Sequence, residues 1–197
     1  MKKQMRAAMA VVALWTGASG GGQAWATPTT YDIDPVHSGI VFFISHLGFS
    51  NVIGMAAEFS GEFVFDSETP EASTLTASVS VASISTNNKQ RDSDIQGADW
   101  FNATEFPKIT FVGKRFTQVD KNTGTITGDL SMVGVTKPVT MNVIFNMAGS
   151  NPWDGSKVAG FSATTTIKRS DFGMTANIPM IGDDVNLRIE VEGRGRR

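Results

Sequence analysis

His37 and His46 are the only imidazoles in the chain, and no cysteine accompanies them. A thiol nucleophile, a thiolate metal site and a disulfide framework are therefore excluded. The two histidines stand an odd number of positions apart, which puts them on opposite faces of one unbroken strand. A shared metal site would need a bulge between them and a third ligand. No Gly-x-Ser-x-Gly elbow, phosphate loop, His-Glu-x-x-His helix or dinucleotide fingerprint occurs. A Ser-His-Asp triad can draw its members from anywhere in a chain, but two histidines and no elbow fit it poorly. Asp92 and Asp94 fall near the start of a polar helical stretch, where the helix dipole favours acidic side chains. Asp183 and Asp184 follow Gly182 in what reads as a hairpin turn, and turn aspartates usually bond their own backbone. Arg169 and Asp171 bracket another irregular stretch, a cation and an anion around a turn. Catalytic and metal-ligating constellations are scarce in these residues.

The elements that would carry these groups are strands. Ile40, Phe42, Ile44 and His46 alternate with Val41, Phe43 and Ser45. Phe59, Phe63 and Phe65 share a parity, as do Leu75, Ala77, Val79 and Val81. The clearest face is Val139, Met141, Val143, Phe145 and Met147, followed by Phe161, Ala163, Thr165 and Ile167, then Val185, Leu187, Ile189 and Val191. Polar residues occupy the opposite parity, the signature of antiparallel sheets with one wet side. His46 shares the inward parity, as a hydrogen-bonded wall residue or as a contact at a barrel mouth. Turn signals separate the runs at short intervals, too short for parallel crossovers. One long interruption, residues 86–107, reads as a short helix over 89–101 with an aromatic anchor at Trp100-Phe101 lying on the sheet. About eight strands make a sandwich or a closed barrel, and an eight-stranded barrel is either filled by its own side chains or holds one small ligand. Thirteen phenylalanines against one tyrosine suit a dry interior, filled or hollow.

Residues 1–26 read as a cleavable leader and not as part of the fold. Lys2, Lys3 and Arg6 precede the apolar run Ala7–Trp15, and Ala24-Trp25-Ala26 fits a small-x-small cleavage site. The run is far short of the roughly 20 residues that span a bilayer. The expected address is the periplasm. Three of the 17 basic residues and none of the 19 acidic ones lie in this leader, so the remainder is acidic. That charge gives no footing for nucleic acid. The barrel domain is placed at 27–192, with 193–197, ending in Gly-Arg-Arg, as a disordered tail. An outer-membrane barrel would need aromatic girdles and a polar lumen, and Tyr31, Trp100 and Trp153 are too few interfacial rings for that.

Several strings, in order, resemble the YceI-like family. They are Tyr31-Asp32-Ile33-Asp34 with His37-Ser38 and Phe42, then Ser45-His46-Leu47-Gly48-Phe49-Ser50 with Gly54. Ser83-Ile84-Ser85-Thr86, Asp99-Trp100-Phe101 and Phe106-Pro107-Lys108-Ile109-Thr110-Phe111 follow. Gly128-Asp129-Leu130, Gly134-Val135-Thr136-Lys137-Pro138-Val139, Gly160-Phe161-Ser162-Ala163, Ile167, Arg169, Asp171-Phe172-Gly173 and Gly182-Asp183 complete the set. The resemblance implies an all-β, antiparallel, eight-stranded, extended lipocalin-like barrel. It also implies carriage of a polyisoprenoid or similar long-chain amphiphile, with no enzyme activity. Two departures stand out. Asp94-Ile95 occupies the place of the family's usual His-Leu pair, and Ala56 stands where relatives often have phenylalanine.

On this reading the ligand-binding residues are Ile40, Phe42, Ile44, Phe59, Phe63, Val143, Phe145 and Phe161, with His46, Arg169 and Asp171 as polar candidates. No cofactor is required; an isoprenoid lipid or quinone is the expected guest. At about 0.8 kcal/mol per buried methylene, about ten carbons supply around 8 kcal/mol gross, comparable to micromolar affinity before ordering costs. The rival is a filled-core structural or stress-related interaction protein without a lipid ligand. An exposed edge strand would let two copies pair as a homodimer.

Overall fold

The computed structural model describes residues 28–196. The leader expected at 1–26 and the final residue Arg197 lie outside the described residues. Eleven strand segments run β1 Thr29–Ile33, β2 Gly39–His46, β3 Ser50–Ala56, β4 Phe59–Phe65, β5 Thr74–Ser80, β6 Ile84–Ser85, β7 Lys108–Gln118, β8 Thr123–Met132, β9 Val135–Ser150, β10 Lys157–Lys168 and β11 Ile181–Gly195. One α-helix, α1, spans Lys89–Ile95. Every strand pairing is antiparallel.

The eleven segments make eight barrel strands, because three of those strands are interrupted. β1 and β2 lie end to end along β11, and β4 and β3 lie end to end along them. The break between β1 and β2 falls at Pro35, which has no N–H to give to a ladder. Asp34 turns the chain there, its Oδ1 accepting from the Val36 N–H at 2.9 Å. β5 and β6 are separated by a 3-10 turn at Val81–Ser83, where Ser83 Oγ donates to the Ser80 carbonyl. The remaining strands follow as a meander. The fold is thus an eight-stranded antiparallel barrel with one short helix, as the resemblance implied; the alternation alone had left a sandwich open.

Closure corrects one expectation. The chain end read as a disordered tail is strand as far as Gly195. Tyr31, Asp32 and Ile33 register against Gly195, Arg194 and Gly193, and this pairing seals the barrel. Arg194 Nε donates to Asp34 Oδ2 at 3.0 Å, and Arg196 bridges Asp32 and Glu62. Run composition alone could not show this, because the partner strand lies at the other end of the sequence.

A second correction concerns Asp183 and Asp184. They lie within β11, at a register shift between Ile181 and Val185, and not in a hairpin turn. The Asp183 carboxylate accepts from Ser170 N and Ser170 Oγ at 2.9 and 2.8 Å. Asp184 pairs with Lys168 at 2.8 Å.

The long interruption is where the barrel wall is incomplete. β6 pairs with β3 only at Met55 and Ala56, and the chain then leaves the sheet until β7. α1 occupies part of that interval. Asn88 caps it by accepting from the Arg91 N–H at 3.0 Å. Asp92 anchors it, its Oδ1 accepting from both the Thr86 N–H and Oγ1 at 2.6 Å. These bonds hold the Asp92 carboxyl below the usual range, the Thr86 hydroxyl contributing most. Asp94 lies in the last turn, away from the helix start.

Candidate functional site

A cavity of about 840 Å³ runs through the barrel, within the usual size for a small-molecule site. Its wall is the inward parity of nearly every strand. Along β10 it includes Phe161, Ala163, Thr165 and Ile167 and continues to Arg169. At about 3.3 Å per residue that is roughly 26 Å along the strand, or about 20 Å along the axis of a barrel with ordinary strand tilt. The cavity is long and narrow, and its middle is apolar.

Ten of the eleven residues expected at the site line this cavity: Ile40, Phe42, Ile44, His46, Phe59, Phe63, Val143, Phe145, Phe161 and Arg169. Asp171 does not. It is exposed on the 3-10 turn Arg169–Phe172, and the carboxylate that serves this corner is Asp183. Met147, read with the inward set, projects into solvent at the open end of β9.

Arg169 is a wall residue of a special kind. It is 2% exposed. Nε donates to the Gly182 carbonyl at 2.9 Å, Nη1 to Met174 at 2.7 Å, and Nη2 to Ala176 and Ile181 at 2.8 and 3.0 Å. The Trp100 ring lies over its guanidinium, 4.8 Å from centroid to Cζ. Burial pushes the Arg169 pKa down, with the Asp183 carboxylate opposing that shift. Its donors are therefore committed to folding the 174–182 loop and fastening the 86–107 excursion, and little of the fork is left for a head group.

Two features keep the interior from filling. First, inward rings lie down on glycines. A Cβ built on Gly54 would overlap the Phe42 ring, one on Gly193 the Phe63 ring, and one on Gly128 the Phe111 ring. Each ring takes space at the wall that a side chain would otherwise occupy. Second, rings crowd together toward one end, Phe63 among them. Tyr31 stacks on Phe63 at 5.0 Å, Phe63 meets Phe161 edge-on at 5.5 Å, and Phe65 lies 5.1 Å from both Phe145 and Phe161.

The two mouths differ. At one, His46, Thr86, Arg91, Asp94 and Asn177 line the opening, with Ile95, Trp100 and Phe101 of the excursion beneath. Arg91 Nε and Nη2 are tied to Thr86 at 2.7 and 2.9 Å, and Gln90 Nε2 donates to Asp94 at 2.9 Å. At the other, Glu68, Asp120, Lys121 and Asn122 stand at the rim. The excursion's contribution was only partly readable: its aromatic pair signalled an anchor over the sheet, but nothing local placed Arg91 and Asn177 at one opening.

His37 lies away from the cavity. Its Nδ1 is 3.0 Å from Asp34 Oδ2 and 3.7 Å from Glu192 Oε1, a grouping with the spacing of metal ligands. Arg194 donates to the same Asp34 oxygen, placing a positive charge beside any cation there. The arrangement works as an ion-paired clasp between the β1–β2 corner and β11. It holds the Asp34 carboxyl down to about 2, the His37 hydrogen bond contributing most. His37 and His46 share no site.

Among the described residues no helix is long and apolar enough to cross a membrane. The family model described as "YceI-like domain" matches residues 31–193. A UPF0312 protein of Pseudomonas putida (strain GB-1) is 38% identical over 189 residues, covering 96% of this chain and 97% of its own. A crystal structure of a Campylobacter jejuni YceI protein superposes with a TM-score of 0.70 at 35% identity, covering 78% of this chain and 90% of that one. Two more distant structures share the fold. One is BcnA of Burkholderia cenocepacia, TM-score 0.74 at 22% identity, with 81% and 98% coverage. The other, from Saccharophagus degradans, is described as a polyisoprenoid binding domain, TM-score 0.63 at 13% identity, with 85% and 99% coverage.

Proposed function

The chain belongs to the YceI-like domain family, and from that premise we propose that it carries a polyisoprenoid or other long-chain amphiphile inside the barrel. The observation that supports this most directly is the cavity itself, about 840 Å³ of apolar space extended along the barrel axis. A chain-like guest matches that shape, and a compact polar metabolite does not. The polyisoprenoid description of the Saccharophagus degradans domain is in keeping with it. Burial of the tail would supply the affinity, at about 0.8 kcal/mol per methylene. The mouth with His46, Arg91, Asp94 and Asn177 would meet the head group. The reading includes export through the 1–26 leader to the periplasm, where no reducing pool acts and a cysteine-free core is no handicap.

The test is delipidated protein titrated with a fluorescent long-chain polyene. Saturable uptake at one equivalent is expected. Absence of uptake across several chain lengths would overturn the reading. Native mass spectrometry of protein purified from its own host then identifies the natural guest from the extra mass.

A further inference from the structure

Two loops meet beside the His46 mouth. One is the β2–β3 hairpin turn; the other leads from Phe172 into β11. The Leu47 N–H donates to the Met180 carbonyl at 2.7 Å, and Ile181 registers against His46. Their outward side chains are apolar and wet: Phe49 is 88% exposed, Met180 55%, Leu47 49% and Ile178 36%. Leu47 sits at φ 54 ahead of Gly48 at φ 74. That turn geometry favours Asn or Asp at its first position, so a leucine there keeps an apolar tip at a conformational cost.

Charge sets this tip apart. No Asp, Glu, Lys or Arg occurs from Ser45 to Ala57 or from Phe172 to Gly182. The third segment at this end, residues 86–107, carries Lys89, Arg91, Asp92, Asp94, Asp99 and Glu105, so the uncharged patch is confined to these two loops; at the opposite end Glu68, Asp120, Lys121 and Asp154 stand in the loops. The tip is also continuous with the cavity. His46, Asn177 and Ile181 line the lumen, while their chain neighbours Leu47, Ile178 and Met180 face outward. Apolar surface therefore runs from the lumen over the rim with no charged side chain of these two loops in the way.

We propose that this tip docks on a lipid bilayer, with Leu47, Phe49, Ile178 and Met180 entering the interface, so that the amphiphile passes between bilayer and cavity without crossing water. The proposal rests on the lipid-carrying reading above. A bilayer suits a tip without charges, since no ion loses its hydration on entry. The acidic remainder of the chain keeps the contact shallow and reversible, as expected of a carrier that must leave again. Apolar exposure continues down β3 through Ile53 and Met55, which makes a second copy of the chain the competing occupant.

The exported chain and the variants Phe49→Asp, Met180→Asp and Trp153→Asp would be compared in flotation with phosphatidylcholine vesicles. Uptake of the fluorescent polyene would be measured both from those vesicles and from a dilute ethanol dispersion. Wild type and Trp153→Asp, altered at the far end, are expected to float and to load from vesicles. Phe49→Asp and Met180→Asp are expected to lose flotation and to load from vesicles about tenfold more slowly, since a charge must now enter the interface, while loading normally from dispersion. Wild type that does not float, or tip variants that float and load like wild type, would overturn the proposal. So would a dimer, seen by sedimentation, that Phe49→Asp converts to monomer. Flotation lost in the tip variants while no form takes up polyene from either source would support the docking tip and sink the carrier reading instead.

Discussion

The ring of Phe42 lies across Gly54, its registered partner on the neighbouring strand, in the space a Cβ would fill. Both positions face the lumen, so the glycine lets the ring lie against the wall. The hollow depends on this kind of pairing as much as on the choice of apolar residues.

Gly54→Val should stand that ring up into the cavity. We expect a folded protein, destabilised by about 1–3 kcal/mol through overpacking, with affinity for a long-chain polyene reduced about tenfold or more. Urea unfolding gives the first quantity and fluorescence titration the second. Unchanged affinity in a folded variant would mean that the guest does not pass Phe42.

Ala163 and its neighbour Thr164 face opposite sides of β10, the first lining the cavity and the second exposed. Ala163→Trp should block uptake of polyene, and Thr164→Trp should leave it as it is, because successive residues of a strand point to opposite faces. Equal behaviour of the two would remove the lumen as the binding site.

Arg169→Met leaves the carbonyls of Met174, Ala176, Ile181 and Gly182 without their shared donor and frees Trp100 from the guanidinium. The expected loss is about 3 kcal/mol, the usual scale for losing a buried, hydrogen-bonded charge. It would be read as a lower urea midpoint together with a changed Trp100 emission. Lysine should not rescue it, since a point charge cannot reproduce the planar fork. A variant as stable as wild type would show that the loop folds without this cation.

Asp34 supplies a pH dependence whose direction follows from its depressed pKa. The ordinary value is 3.8 and the folded value about 2, held there first by His37 and also by the Val36 N–H and Arg194. The unfolded chain binds more protons in that interval, so stability falls as pH falls. The contribution is complete above the ordinary value and lost as pH drops through about 2. Asp34→Asn, less stable near neutrality, should show a flatter decline between these limits in urea midpoints measured against pH. Parallel curves would contradict the clasp.

Asp94 puts a carboxylate at the mouth. Asp94→Asn should raise the affinity for a fatty acid relative to the fatty amide of equal length by roughly two- to fivefold, the scale of an exposed charge interaction. Competition titration measures that ratio. An unchanged ratio would place the head group at the other end of the cavity.

Which residues face inward was legible in the amino-acid sequence except past the β9–β10 bulge, where Met147 turned outward. Period-two alternation is a local property, and Ile40 through Ile44, Val143, Phe145 and Phe161 kept their faces because strand geometry leaves no alternative between bulges. The short helix and the aromatic anchor at Trp100 were legible for the same local reason. What the tertiary structure alone decided depends on pairing across the chain. β11 closes on β1 through residues that read as a tail, because its partner lies more than 150 positions away. The corner anion is Asp183 and not Asp171, because the 174–182 loop folds back on Arg169. The lumen stays open because Phe42 and Phe111 lie over glycines on neighbouring strands and Phe63 reaches across β1 to Gly193 on β11. A ring's direction inside a barrel is set by what stands beside it across the sheet, and that neighbour exists only once the register is formed.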